Sequence, residues 1–136
     1  MSGEETLVRH RVLIVDDEES TRLLLARLVS VALGVDAQLA GTCEQALRLA
    51  EANSYDAILL DLLMPGIGGF AVLHEIRAST ANATTPVIIV SVVGEQETID
   101  RCLAAGASAY HVKPVRRAEL IATLRAQLAR ARSVTR

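Results

Sequence analysis

Apolar positions follow two different spacings along this chain, and the two alternate. Short apolar runs have the length and the Val, Ile, Leu and Ala content of buried strands. Between them, apolar residues recur every three or four positions, as in Leu120, Leu124 and Leu128, which predicts amphipathic helices. The pattern predicts five strand–helix units, with strands at RVLIVD (11–16), VDAQLA (35–40), YDAILLD (55–61), PVIIVS (86–91) and ASAYHV (107–112).

The strands of this pattern are apolar along nearly their whole length, which is typical of a parallel sheet covered by helices on both faces. Right-handed crossovers between parallel strands then limit the topology to a doubly wound α/β sheet of five strands. In such sheets, ligands bind beyond the carboxyl ends of the strands. The residues at which the strands end are therefore the candidates for a functional site.

The composition narrows the class of protein further. A length of 136 residues fits one domain, and 51% apolar residues with 2% aromatic ones predict an aliphatic core. A net charge of −2 gives no general reason to expect nucleic acid or an anionic membrane as a partner. Cys43 and Cys102 are too few for a disulfide framework and lack metal-ligand spacing, so reduced thiols are expected. No apolar stretch approaches the roughly 18 residues of a membrane span, so a cytoplasmic protein is expected.

Four of the five predicted strands end in polar side chains. These are Asp16 and Asp17 after the first strand, Asp61 after the third, Ser91 after the fourth and Lys113 after the fifth. An isolated Asp at such a place more often caps a loop or a helix. Three carboxylates at one edge, however, repel each other unless a cation neutralises them, and oxygen ligands without His or thiolate suit Mg²⁺. The pattern therefore favours a Mg²⁺ site at this edge of the sheet.

The two remaining groups indicate what such a cation would serve. Lys113 offers a positive charge and Ser91 a hydroxyl donor, and both are natural partners of phosphoryl oxygens. Asp61 is central among the strand ends and can act as the nucleophile, because a carboxylate is already ionised and needs no general base. The sequence therefore predicts an aspartyl-phosphate site on Asp61.

At these motifs the chain resembles the receiver domain of two-component response regulators of the chemotaxis-regulator type. The resemblance predicts a receiver domain over residues 10–131, with short tails at 1–9 and 132–136. It rests on VDDE, DLLMPGIGG, SVVG, GASAY and VKP, which align Asp16, Asp17, Asp61, Met64, Pro65, Gly69, Ser91, Tyr110, Lys113 and Pro114 with the family's motifs.

The resemblance implies further structural details. The sheet order should be 2-1-3-4-5, the flavodoxin-like order for which receivers are themselves a standard example. Asp17, Asp61 and the backbone carbonyl of Leu63 should bind Mg²⁺, with Asp16 acting through water. Pro65, Gly69 and Pro114 are expected to have structural roles, and the Lys113–Pro114 bond is expected to be cis.

The resemblance also implies a function. A histidine kinase or phosphotransfer protein should donate a phosphoryl group to Asp61, and Ser91 and Tyr110 should act as the switch pair. The surface of the fourth helix, fifth strand and fifth helix should then change and control a partner or an output domain. Such a protein catalyses its own phosphorylation and dephosphorylation and is not an enzyme acting on other substrates.

Three apolar residues near Asp61 bear on the lifetime of the phosphorylated state. In receivers, the positions of Leu63 and Val93 flank the path of the water that hydrolyses the phosphoryl group. Neither side chain can hydrogen-bond a water, and Val92 replaces the usual Ala or Gly beside them. A long-lived phosphorylated state is expected, unless Leu63 and Val93 turn away toward neighbouring loops.

Two other function classes fit parts of the sequence. A haloacid-dehalogenase-like phosphatase also uses an Asp nucleophile and Mg²⁺, but it places the nucleophile in a DxD pair after the first strand, where this chain has adjacent Asp16 and Asp17. A degenerate receiver that serves only as a docking module would not need all five polar residues at the strand ends. An aromatic residue in a strand is usually a core residue, but the match of Tyr110 to the switch position of receivers favours the switch role.

The surroundings of the last helix bear on partners. About seven residues follow this helix, so the chain is expected to be either a single-domain regulator or a receiver cut from a longer protein. Basic residues on the fifth helix face an acidic start of the fourth, which suggests a homodimer enhanced by phosphorylation. No direct contact with nucleic acid or membrane is expected. The basic residues are Arg116, Arg117, Arg125, Arg130 and Arg132, and the acidic ones are Glu95, Glu97 and Asp100.

Overall fold

Five strands and five helices alternate along the chain in the predicted order. The structure of the protein, a computed structural model, describes residues 9–79 and 81–134, and side chains as far as residue 130. The strands are β1 (Arg11–Val15), β2 (Asp36–Ala40), β3 (Ala57–Leu60), β4 (Val87–Ser91) and β5 (Ala109–Val112). The helices are α1 (Glu19–Leu33), α2 (Cys43–Ala52), α3 (Gly68–Ala78), α4 (Gln96–Ala104) and α5 (Arg117–Val134).

The strands form one parallel sheet in the order β2-β1-β3-β4-β5, which confirms the predicted doubly wound topology. Every residue of the central strands β3 and β4 is buried, as their unbroken apolar sequences require. Val15 pairs with Leu60, and the N–H of Asp61 donates to the carbonyl of Val15 over 3.0 Å. This register brings the residues that follow β1 and β3 side by side.

Alternate residues of β1 point to opposite faces of the sheet and into two separate cores. Leu13 and Val15 belong to the core under α2, α3 and α4, whereas Val12 and Ile14 belong to the core under α1 and α5. Both cores consist mainly of aliphatic side chains, as the composition predicts, and each fully buried Leu, Ile or Val contributes about 1.5–3 kcal/mol. The sheet between them is therefore a rigid base for the loops at its carboxyl edge.

Glycine determines how α3 begins beside the end of β3. A Cβ atom at Gly69 would lie 2.1 Å from the main-chain oxygen of Asp61, so no other residue fits there without a shift of the backbone. Gly68 precedes it with φ of 86°, a conformation that side chains disfavour. The GIGG segment is thus the turn that starts α3, as its sequence predicts.

A second group of polar contacts ties the loops at the opposite edge of the sheet. The guanidinium of Arg77 donates to the carbonyls of Gly106, Asn82 and Ala83 over 2.8–3.3 Å. The side chain of Asn82 is fully buried and bonds main-chain atoms of Ala50, Asn53 and Tyr55. These contacts fix the end of α3 and the end of α4 to the same loop.

The structure differs from the sequence pattern at a few places. The apolar spacing of α4 predicts that Cys102 and Leu103 are both buried, but only Cys102 is, and Leu103 is 44% exposed. Cys43 and Cys102 are both buried and free, as expected. α5 continues to Val134, past the predicted domain boundary at 131, and residues 1–8 of the predicted tail lie outside the described residues. Among the described helices, none has the length and apolar content needed to cross a membrane.

Candidate functional site

Three carboxylates meet at the carboxyl edge of the sheet. One oxygen from each of Asp16, Asp17 and Asp61 lies within 4.8 Å of the other two. Asp16 and Asp61 immediately follow the paired strands β1 and β3 and are almost fully buried, whereas Asp17 is exposed. The ends of β1 and β3 thus place all three predicted acidic residues in one cluster.

Lys113 supplies a positive charge to this cluster. Its Nζ atom lies 2.8 Å from Oδ2 of Asp16 and 3.3 Å from Oδ2 of Asp61. The main chain of Lys113 is fixed by a 2.8 Å hydrogen bond from its N–H to the carbonyl of Ser91, and the Lys113–Pro114 bond is cis, as the family resemblance implies. Three carboxylates and one ammonium leave a formal charge of −2, which a divalent cation would balance.

Burial and neighbouring groups shift the ionisation of the site. Burial raises the pKa of Asp61, and the charge of Asp16 adds to this rise. The N–H of Leu63, 3.2 Å from Oδ1, and the charge of Lys113 act in the opposite direction and lower the pKa. Burial lowers the pKa of Lys113, but its hydrogen bonds and ion pairs with Asp16 and Asp61 outweigh burial and raise it. Lys113 therefore stays protonated, and ionised Asp61 is held at a free-energy cost.

Ser91 and Tyr110 both bond the main chain of Val93, in the loop between β4 and α4. The buried Ser91 hydroxyl accepts a hydrogen bond from the N–H of Val93 over 3.3 Å, and the hydroxyl of Tyr110 donates to the carbonyl of Val93. Tyr110 is half-buried against the core under α3 and α4, and burial is the main cause of its raised pKa. The two predicted switch residues are thus linked through Val93.

Apolar side chains surround the mouth of the site. Leu63, Ile67 and Val92 are each more than half exposed, while Val93 is half-buried. Leu63 and Ile67 belong to the loop after Asp61, and Val92 and Val93 follow Ser91. The structure therefore leaves apolar surface on both loops that flank Asp61.

Sequence reasoning missed one residue of this region, Arg22. Its Nη1 atom donates to the main-chain oxygen of Asp16 over 2.8 Å. Its position in the first turn of α1 could have indicated such a role. The helix dipole disfavours a cation there, so a basic residue at this position suggests a contact outside the helix. Glu18 also contributes, because its N–H donates to Oδ1 of Asp16 over 2.9 Å.

The fold and the acidic edge are those of a phosphoacceptor switch domain. Residues 12–125 match the family model of the response regulator receiver domain. Because this match runs from β1 into α5, the chain belongs to the response regulator receiver family.

Curated relatives carry the domain within longer proteins. The sensory/regulatory protein RpfC of Xanthomonas campestris pv. campestris (strain 8004) is 38% identical over 116 residues, which cover 84% of this chain and 16% of RpfC. The response regulator ArlR of Staphylococcus saprophyticus is 38% identical over 125 residues, which cover 88% of this chain and 53% of ArlR. The chain thus spans about a sixth and about half of these two relatives.

Solved receiver structures are similar over most of the chain. The receiver domain of sensor histidine kinase PA1611 from Pseudomonas aeruginosa, which has a magnesium ion in its active-site cleft, is 30% identical with a TM-score of 0.81 and covers 90% of this chain and 99% of that one. Chemotaxis protein CheY4 of Vibrio cholerae is 28% identical with a TM-score of 0.81, covering 88% of this chain and 98% of that one. Receiver domains bind Mg²⁺ at their acidic site, and the oxygen-only cluster of this chain has suitable donors.

The raised pKa of Asp61 predicts a pH-dependent effect of Asp61→Asn on stability. Since the folded pKa lies above the usual 3.8, ionised Asp61 destabilises the fold, and this penalty is absent below pH 3.8 and complete above the folded pKa. With divalent ions chelated, Asp61→Asn should raise the free energy of unfolding at pH 7.5 by about 1 kcal/mol. Urea denaturation should show this gain shrinking as the pH falls toward 4. The exposed carboxylate of Asp36 provides a control, since Asp36→Asn should have little effect, and a pH-independent gain for Asp61→Asn would contradict the assignment.

Proposed function

We propose that this protein is a phosphorylation-activated switch of a two-component system, in which Asp61 accepts a phosphoryl group from a histidine kinase or a phosphotransfer protein. The observation that carries the proposal is the cluster of Asp16, Asp17 and Asp61 with Lys113 between two of its carboxylates. A degenerate docking module would have no need of this buried charge, which is expensive to maintain.

The acidic cluster is proposed to hold Mg²⁺. Asp17, Asp61 and the backbone carbonyl of Leu63 would bind it directly, and Asp16 would act through water. When bound, Mg²⁺ supplies positive charge that attracts the phosphoryl oxygens and offsets the repulsion between them and the carboxylates. The N–H of Leu63 donates to Oδ1 of Asp61, so the main chain of Leu63 lies beside this carboxylate.

Three residues of the chain have separate roles in the proposed phosphoryl transfer. An oxygen of Asp61 attacks the phosphorus in line, the P–O bond forms, and the P–N bond to the donor histidine breaks with its electron pair going to the ring nitrogen. Lys113 and the Ser91 hydroxyl contact the negatively charged phosphoryl oxygens as the group moves onto Asp61. Because Asp61 follows a fully buried strand, its direction of attack is fixed before the donor arrives.

Phosphorylation is expected on Asp61 alone. With Mg²⁺ and acetyl phosphate or a phosphorylated His donor, the wild type should gain one hydroxylamine-sensitive phosphoryl group per chain. Asp61→Asn should gain none, and chelation of Mg²⁺ should prevent labelling of the wild type, because three carboxylates then repel the incoming anion. Mass spectrometry after borohydride reduction locates the label. Asp36→Asn, which alters an exposed carboxylate, should label normally, and equal labelling of Asp61→Asn would refute the proposal.

The switch is proposed to act through the main chain of Val93, whose N–H bonds Ser91 and whose carbonyl bonds Tyr110. A phosphoryl group on Asp61 would attract the Ser91 hydroxyl, and the main chain of Val93 would follow it. Tyr110, which bonds the Val93 carbonyl, would settle further inward. The surface of α4, β5 and α5 would then change. Glu95, the N-cap residue of α4, makes no side-chain capping bond to the first turn of the helix.

Ser91→Ala should uncouple phosphorylation from this change. The variant should still gain label on Asp61, but the NMR shifts of Tyr110 and α4 on adding beryllofluoride should fall to less than about half of those in the wild type, since a two-state element needs only a few kcal/mol of bias. Ser108→Ala removes a hydroxyl at the opposite edge of the sheet and serves as the control. Equal shifts in Ser91→Ala and wild type would show that Ser91 does not transmit the signal.

A homodimer formed through α4, β5 and α5 is proposed as one outcome of the switch. The exposed acidic residues Glu95, Glu97 and Asp100 lie at the start of α4, and Arg117, Arg125 and Arg130 are exposed on α5. Val112 and Leu103 add exposed apolar surface between them. Arg116 already pairs with Glu119 at 3.5 Å, and the side chain of Arg132 lies outside the described residues.

Beryllofluoride should therefore promote self-association of the wild type in sedimentation experiments. Salt of about 0.5 M should weaken it by screening the charges. Glu97→Lys should weaken it as well, whereas Glu51→Lys on α2 should not. A monomer at all concentrations, with and without beryllofluoride, would exclude the dimer.

The phosphorylated state is expected to be long-lived. Leu63 and Val93 offer apolar surface where a hydrolytic water would have to be oriented, and Val92 narrows its access. Leu63→Asn with Val93→Glu should shorten the lifetime of the label about tenfold, measured by the loss of ³²P after removal of the donor. Ile67→Asn, an equally polar change on the same loop, should leave the lifetime within twofold. A double variant that loses label no faster than the wild type would show that these side chains do not control the water.

The proposal also covers the domain bounds, the cellular location and the partners of the protein. We place the receiver domain at residues 10–131, in the cytoplasm, either acting as a single domain or within a longer protein that carries an output domain. The protein would act by contact with protein partners, without binding nucleic acid or membrane directly, and would catalyse only its own phosphorylation and dephosphorylation.

A further inference from the structure

Arg22 reaches from α1 to the main chain between the two acids of the first loop. Its Nη1 atom donates to the main-chain oxygen of Asp16 over 2.8 Å. This oxygen belongs to the peptide that joins Asp16 to Asp17. Among the residues that the structure describes, none of the ion pairs includes Arg22, so this contact is not a by-product of a salt bridge.

Gly41 provides the space that the guanidinium occupies. A Cβ atom at residue 41 would lie 2.8 Å from Nη1 and 3.2 Å from Cζ of Arg22. Gly41 follows β2, whose last residue, Ala40, accepts a hydrogen bond from the N–H of Asp16 over 3.2 Å. Arg22 therefore lies in a slot between the ends of β1 and β2 that is open only because residue 41 lacks a side chain.

The contact matters most for Asp17. The carboxylate of Asp16 is already fixed by the N–H of Glu18 and by Lys113. By contrast, no hydrogen bond or ion pair within the described part of the chain holds the carboxylate of Asp17. Its position depends on its own backbone, and the peptide that precedes this backbone is the one that Arg22 holds.

We propose that Arg22, seated against Gly41, is a positioning residue for the metal site, which fixes the Asp16–Asp17 peptide so that the Asp17 carboxylate faces the bound Mg²⁺. The inference rests on the proposed function, because it requires Mg²⁺ among these acids. Contacts of this kind outside the ligand shell set metal affinity in many proteins.

The direction in which loss of Arg22 changes the Mg²⁺ affinity distinguishes a positioning role from a purely electrostatic one. A guanidinium near the site repels a cation, so its loss would tighten Mg²⁺ binding if charge were its only contribution. If Arg22 positions the peptide, its loss weakens binding instead. Mg²⁺ affinity therefore distinguishes the two roles without any measurement of phosphorylation.

The test measures the dissociation constant for Mg²⁺ by isothermal titration calorimetry. Arg22→Ala should raise it about tenfold, and Arg22→Lys, which keeps a charged donor, should recover part of the loss. Gly41→Ala should raise it as Arg22→Ala does, because the new methyl group displaces the flexible guanidinium, and the double variant should be no worse than either single one. Arg27→Ala, which removes an exposed charge from the same helix, should bind like the wild type.

The results distinguish failure of the positioning role from failure of the proposed metal site. Tighter binding by Arg22→Ala, or binding within twofold of the wild type by both Arg22→Ala and Gly41→Ala, would overturn the positioning role while leaving the proposed function intact. Failure of the wild type to bind Mg²⁺, or binding that survives Asp17→Asn unchanged, would overturn the metal site and the inference together. Urea denaturation in chelator establishes that each variant is folded, and Gly41→Ala and Arg22→Lys carry the test if Arg22→Ala does not fold.

Discussion

Repulsion among three carboxylates is the constraint around which the functional edge of this protein is organised. Asp16 and Asp61 are buried there, and the ammonium group of Lys113 is shared between them at 2.8 and 3.3 Å. Its positive charge offsets the repulsion between these two carboxylates at close range. The single positive charge relieves only part of the repulsion, and a formal charge of −2 remains among these four groups.

The sheet makes this arrangement possible because it is too rigid to spread the charges apart. The paired residues Val15 and Leu60 are buried between two aliphatic cores, so the acids that follow them have little freedom to separate. The approach of α3 at Gly69 further confines the main chain of Asp61. The free energy of packing in the cores thus maintains an unfavourable concentration of charge at the edge.

The sequence predicted the sheet and the acidic cluster for the same reason. Strands as apolar as AILL and VIIVS are compatible only with burial on both faces, and parallel strands bring their last residues to one edge. The exposure of Leu103 was not predicted, because the length of α4 and the face it buries depend on packing against β5. Arg22 was missed because its role depends on an empty space at Gly41, and a space between elements leaves no pattern along a sequence.

The contacts of Arg77 have a mechanical consequence for α4. By bonding the carbonyl of Gly106, Arg77 ties the far end of this helix to the end of α3, while its first turn has no side-chain cap. Any motion of α4 would therefore be a rotation about its last turn. With nine residues, the helix is about 13 Å long, so a tilt of about 10° carries its first turn about 2 Å and its last turn hardly at all. A displacement beside Asp61 would thereby be confined to the acidic end of α4, and the loop at the opposite edge of the sheet would stay still.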